Sequence, residues 1–147
     1  MDVTFPDGTQ VRAHGIAARD ADGSWRQFGL YCDAAWRPDW PSLTIDWPDF
    51  GLPAEPETAA GQIVEAFNRA QQGERVEVGC LGGIGRTGTV LACMAVIAGV
   101  PGADAVAWVR QNYRPEAVET SAQANWVTWF AEWLERECDT SGARHDE

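Results

Sequence analysis

The run Val76-Glu77-Val78-Gly79-Cys80-Leu81-Gly82-Gly83-Ile84-Gly85-Arg86-Thr87-Gly88-Thr89 constrains the fold of this chain more than any other stretch. A short β-branched segment enters a glycine-rich turn bracketed by a cysteine and an arginine, and an apolar segment follows at once. That order is strand, loop and helix N-terminus. Such a loop gathers backbone N–H groups around one point, and the positive end of the helix dipole adds to their field, so an anion can settle there. Cys80 is expected at the floor of this site. The same N–H groups and the fixed charge of Arg86 favour its thiolate, which makes it a nucleophile near neutral pH. Attack on a bound phosphate is the chemistry that the loop permits.

At 147 residues the chain has the length of one domain, enough to bury roughly two-thirds of the surface that its unfolded form exposes. Its formal charge of −11 argues against a nucleic-acid partner or an anionic membrane, both of which need a basic footprint. The four cysteines Cys32, Cys80, Cys93 and Cys138 are irregularly spaced with no CxxC pair, and no signal peptide is apparent. A reduced, cytoplasmic, monomeric protein is expected. Val90 to Val100 is far too short for a membrane span and reads as a buried helix. His14 and His145 are isolated; neither a metal nor another cofactor is called for.

The remaining elements follow from periodicity and turn chemistry. Val3-Thr4-Phe5 and Gln10 to Ala13 flank Pro6-Asp7-Gly8 and predict a hairpin. Trp25 to Cys32 predicts one or two short strands, and Ser42 to Asp46 another, ended by Trp47-Pro48. Glu57 to Gln72 carries Ile63, Val64, Phe67 and Ala70 at helical spacing and stops at Gly73. A strand is expected over Glu74 to Gly79, and helices over Arg86 to Ala98, Ala103 to Asn112 and Ser121 to about Glu137. The last places Trp126, Trp129, Phe130, Trp133 and Leu134 on one face. These elements predict an α/β fold with a central mixed sheet flanked by helices and the phosphate-binding loop between a strand and a buried helix. The domain is expected over 1–138, with a flexible tail over 139–147.

Gly83-Ile84-Gly85-Arg86-Thr87-Gly88 also matches the dinucleotide fingerprint, but no second strand ending in an acidic residue follows about 20 residues on. A nucleoside-triphosphate loop fails as well, because Cys80 stands at its first glycine and Arg86 at its lysine. Cleaving a phosphate monoester through a thiophosphate needs a nucleophile, a clamp on the phosphoryl oxygens, an acid for the leaving oxygen and a group that directs water. Cys80 and Arg86, six positions apart, offer the first two. The planar fork of Arg86 can hold two oxygens at once. Thr87 offers a hydroxyl to the sulfur.

Cys80-Leu-Gly-Gly-Ile-Gly-Arg86-Thr87-Gly88 resembles the signature loop of the cysteine-based protein tyrosine phosphatases. Trp47-Pro48-Asp49-Phe50-Gly51-Leu52-Pro53 is similar to their mobile acid loop, and Arg114 to Gln123 to the segment that positions the hydrolytic water. The resemblance covers about Ser42 to Leu134 and is nearest to the small dual-specificity members. It implies Cys80 as nucleophile, Arg86 as clamp, and Asp49 as general acid and later base. Trp47 would anchor the acid loop, Phe50 would flank the substrate ring, and Leu81, Gly82, Gly83, Ile84 and Gly85 would line the phosphate site. Glu119 and Gln123 would direct water. Each has a bland counterpart: a turn carboxylate for Asp49, packing for Trp47, a cap or surface carboxylate for Glu119.

Two departures stand out. Gly79 replaces the histidine that family members usually carry before the nucleophile, which implies a weaker bias toward thiolate. Glu119 stands where tyrosine-specific members have glutamine. Apolar Leu81 and Ile84 disfavour a multiply phosphorylated substrate, so the implied partner is a phosphorylated protein or peptide. Tyr31, Trp36 and Trp40 either line the pocket or merely pack. A phosphotyrosine-binding pseudo-phosphatase is the competing reading. On oxidation, Cys32, Cys93 or Cys138 are the available partners for Cys80.

Overall fold

The computed structural model describes residues 2–15, 26–32, 40–48, 51–80 and 84–145, with the backbone alone for His14, Gly15 and residues 138–145. The predicted hairpin forms. β1 (Asp2–Thr4) pairs antiparallel with β2 (Gln10–Gly15), with Val3 opposite Val11. The Thr9 amide donates to the Asp7 carboxylate at 3.0 Å, and Gly8 takes a φ of 90°, so the turn uses the two residues that predicted it.

Among the described residues five strands form one mixed sheet in the order β1-β2-β5-β3-β4. β5 (Val76–Cys80) is central, with β2 and β3 (Phe28–Tyr31) parallel on either side and β4 (Ser42–Thr44) parallel to β3. Every residue of β5 is buried, as expected of a central strand in a largely parallel sheet whose faces are covered by other elements. β5 starts two residues later than predicted and runs one residue further, to Cys80; the Arg75 carbonyl before it accepts the amides of Gln27 and Phe28. β4 ends at Thr44, although the Ile45 amide still donates to the Tyr31 carbonyl.

α1 (Pro56–Gln71) starts on proline, whose fixed φ suits a first helical turn. Its buried face is Ala59, Ala60, Ile63, Ala66, Phe67 and Ala70, and the chain leaves it through Gly73 at a φ of 96°. α2 (Gly85–Ile97) follows β5 and is buried from Gly85 to Ala95. It touches β5, β2 and all three other helices, which explains a sequence that is apolar all round. A single 3-10 turn at Gly102–Asp104 leads into α3 (Ala105–Asn112). α4 (Ser121–His145) continues past the expected end near Glu137. Trp126 packs against Trp47 at 5.5 Å, Trp129 at 5.4 Å and Phe130 at 6.0 Å between ring centroids, which ties α4 to the segment after β4. No helix among the described residues is long and apolar enough to cross a membrane.

The two faces of β5 differ in chemistry. Val76, Val78 and Cys80 alternate with Glu77 and Gly79, as strand geometry demands. Glu77 is fully buried and is matched there: Arg26 Nε donates to it at 2.8 Å and the Tyr31 hydroxyl donates to its other oxygen. Trp40 Nε1 donates to the Tyr31 oxygen at 2.9 Å, and the Arg26 guanidinium lies 4.5 Å from the Trp40 ring. The Tyr31 ring lies back over Gly29, where any Cβ would collide with it.

Candidate active site

Parallel pairing carries the C-terminal ends of β2, β3 and β5 to one edge of the sheet, the usual location for a ligand site in an α/β fold. Cys80 is the last residue of β5 and is 2% exposed. Thr87, in the first turn of α2, donates its hydroxyl to the Cys80 Sγ at 3.0 Å. That contact follows from the strand-loop-helix geometry, which turns the start of the helix back toward the end of the strand.

Arg86, beside Thr87, is buried and donates from Nη1 to the carbonyls of Cys32 at 2.7 Å and Trp47 at 2.8 Å. The two carbonyls come from the chain after β3 and the chain after β4. Both are neutral, so they orient the guanidinium without cancelling its charge. The Cys32 amide donates in turn to the Gly79 carbonyl at 2.9 Å, which ties this support back to the strand that carries the nucleophile candidate. Gly79 itself stands in register with His14 of β2 and Tyr31 of β3.

The segment matching the acid loop is closed at its base. The Ala54 amide donates to the Asp46 carbonyl and the Gly51 amide to the Pro48 carbonyl, both at 2.9 Å. Trp47, 2% exposed, donates its indole N–H to the Gly51 carbonyl at 2.8 Å. Trp47 thus reaches both Arg86, through its carbonyl, and the far side of the loop, through its ring. Asp49, Phe50, Leu81, Gly82 and Gly83 lie outside the described residues; Ile84 is half-buried just before α2.

Gln123 is fully buried, and its amide is engaged at both ends. Its Oε1 accepts the Glu119 amide at 2.8 Å and the Thr120 amide at 3.3 Å, while its Nε2 donates to the Gly51 carbonyl at 3.4 Å. It therefore joins the start of α4 to Gly51, in the segment after β4. The Thr120 hydroxyl accepts the Gln123 amide at 3.0 Å, a reciprocal N-terminal cap. Glu119 is exposed, and its carboxylate lies against Gly85, where any Cβ would collide with it.

Of the residues that the sequence singled out, Cys80, Arg86, Thr87 and Trp47 come together, and Glu119 lies against the same first turn of α2. Tyr31 and Trp40 belong to the Glu77 network rather than to this cluster. Cys32, Cys80 and Cys93 are buried and not disulfide-bonded. Burial pushes the Cys93 thiol well above its ordinary value, with Cys32 adding to the shift. The Tyr113 hydroxyl is raised too, chiefly by burial, with Arg114 opposing and Cys80 adding. Three features were not foreseen in the sequence: the Arg26–Glu77 pair, the role of Gly29, and Arg110, which donates to the carbonyls of Ala117 and Val118. A carboxylate inside the β-branched run Val76 to Val78 was the available signal for the first.

Residues 37–130 match the family model of the protein-tyrosine phosphatases. The chain belongs to that family. It is 38% identical over 88 residues to an uncharacterized protein of Methanocaldococcus jannaschii, covering 59% of this chain and 57% of that one. It is 34% identical over 89 residues to the protein tyrosine phosphatase domain-containing protein 1 of Danio rerio, covering 60% of this chain and 12% of that one. The chain thus spans under two-thirds of the length of these curated relatives. Among solved structures, Tk-PTP in its active form superimposes with a TM-score of 0.64 at 25% identity, over 74% of this chain and 80% of that one. Human DUSP28 superimposes with a TM-score of 0.71 at 15% identity, over 93% of this chain and 99% of that one, a likeness of fold. The fold is that of the small dual-specificity and archaeal phosphatases.

Proposed function

We propose that this chain is a phosphoprotein phosphatase that hydrolyses phosphotyrosine esters through a cysteinyl-phosphate intermediate. The observation that carries the reading is the Thr87 hydroxyl 3.0 Å from the Cys80 sulfur, beside a buried arginine oriented by two carbonyls. The Cys80 thiolate attacks phosphorus while Arg86 and the loop amides hold the phosphoryl oxygens. Asp49 gives its proton to the leaving phenolate oxygen. Water then attacks phosphorus, Asp49 takes its proton, and the S–P bond breaks to return the thiolate, which the Thr87 hydroxyl stabilises. Membership of the protein-tyrosine phosphatase family supports the reaction class.

Hydrolysis of para-nitrophenyl phosphate by the reduced protein is the first test. Cys80→Ser is expected to lower kcat by on the order of 10⁴ or more, since the nucleophile is lost outright. Asp49→Ala is expected to lose about 10²-fold, the typical worth of a positioned acid. A wild-type protein that binds phosphotyrosine peptide but releases no phosphate would instead be a pseudo-phosphatase. Phosphotyrosine, phosphoserine and phosphothreonine peptides of one sequence then separate tyrosine-only from dual specificity.

A further inference from the structure

We propose that Arg110 is a positioning residue for the water-attack step, holding Val118 in a left-handed backbone so that the Glu119 carboxylate stands against the end of the phosphate loop. The proposal rests on the phosphatase reading above. In that step a water oxygen bonds to phosphorus, the S–P bond breaks, Cys80 leaves as thiolate, and the water proton passes to a carboxylate. The group that orients the water must be held in place.

Val118 has a φ of 64°, the only positive value at a non-glycine position among the described residues. A β-branched residue does not adopt this conformation unless its surroundings impose it. Val118 is 1% exposed, with Ala117 fully buried beside it. The Arg110 fork, from the last turn of α3, donates Nε to the Ala117 carbonyl at 2.9 Å and Nη2 to the Val118 carbonyl at 2.8 Å. Two parallel bonds to successive carbonyls fix both peptide planes around Val118, which a single donor could not do.

The other side of the turn rests on α2. A Cβ at Gly88 would collide with the Ala117 methyl, and one at Gly85 with the Glu119 carboxylate. Gly85 and Gly88 lie three residues apart and so face the same way on the helix. They form a bare strip on which 117–119 sits, with Glu119 at the end nearest the phosphate loop. Gln123 Oε1 secures the Glu119 amide at 2.8 Å. The turn at Val118 carries the chain from the Ala117 contact to the Glu119 contact, and Arg110 bonds the carbonyls on both sides of Val118.

Glycine accepts positive φ freely, so Val118→Gly should relieve the need for the fork. Pre-steady-state release of para-nitrophenol separates the two chemical steps: the burst reports attack by Cys80, the steady rate the attack by water. Arg110→Gln is expected to lower the steady rate about tenfold and to change the burst rate less than about twofold, the pattern of a group that acts after the first transition state. Arg110→Gln with Val118→Gly is expected to recover most of the loss. Exchange of the Glu119 amide, followed by NMR, should speed up in Arg110→Gln and slow again in the double variant. Equal losses in burst and steady rate, no recovery on adding Val118→Gly, or unchanged amide exchange would each overturn the role of Arg110. Absence of any nitrophenol release by the wild-type protein would overturn the phosphatase reading and this role with it.

Discussion

Two buried arginines serve the two faces of one strand, and they are held in opposite ways. On the Glu77 side of β5, Arg26 meets a carboxylate at 2.8 Å, with side chains about 1% exposed, and Tyr31 and Trp40 complete the network. At the Cys80 end, Arg86 donates to two backbone carbonyls. A carboxylate partner neutralises a guanidinium, whereas a carbonyl orients it without carrying a charge of its own. The first arrangement fixes structure. The second aims a guanidinium toward the Cys80 end of the strand, where the proposed function would use it.

That contrast can be broken from either side, and the structural side should show the larger effect. Glu77→Ala leaves the Arg26 charge buried without its carboxylate, which is expected to cost about 3–5 kcal/mol of folding stability. A urea midpoint within error of wild type would show that the pair does not hold the structure. Arg86→Lys keeps the charge but loses the fork, and is expected to lower kcat/KM for para-nitrophenyl phosphate by about 10²–10³-fold with little change in the urea midpoint. Equal loss of stability and activity would erase the distinction between the two arginines.

The smallest effect sharpens the comparison through pH. Burial and then the bond to Glu77 push the Tyr31 hydroxyl far above its ordinary range, and burial raises the Cys93 thiol well above its own. Both groups stay protonated in the folded state at a pH where the unfolded chain ionises. Stability is therefore complete below about pH 9 and falls as pH rises beyond it, by about 1.4 kcal/mol per pH unit for each group once its unfolded form has ionised. Urea midpoints from pH 7 to 10.5 should show this decline, with a shallower slope in Tyr31→Phe. An identical slope in that variant would place the titrating group elsewhere.

Much of the molecule was legible because local rules and tertiary packing agree. The hairpin at Asp7-Gly8, α1 with its stop at Gly73, the buried α2 and the strand-loop-helix around Cys80 all follow from turn chemistry and periodicity. Element ends were less legible: β5 begins at Val76 rather than Glu74, and α4 runs on to His145. Tyr31 and Trp40 could not be assigned from sequence, since an aromatic residue reads alike whether it lines a pocket or serves a buried carboxylate. The carboxylate in question, Glu77, lies 46 residues from Tyr31 in sequence.

The run from Val76 to Thr89 by itself predicted a strand and a helix with a cysteine and an arginine near their junction, because strand and helix are local matters. Its glycines remained ambiguous there, for the same spacing fits a dinucleotide fingerprint. Tertiary structure decided what Gly88 is for, a bare place on α2 that admits Ala117, and it set the Glu119 carboxylate beside Gly85. It also decided that Arg86 is aimed by carbonyls after β3 and β4, and that Arg110 holds Val118 at positive φ. Each of these depends on close approach between segments distant in sequence, and no local propensity encodes such an approach.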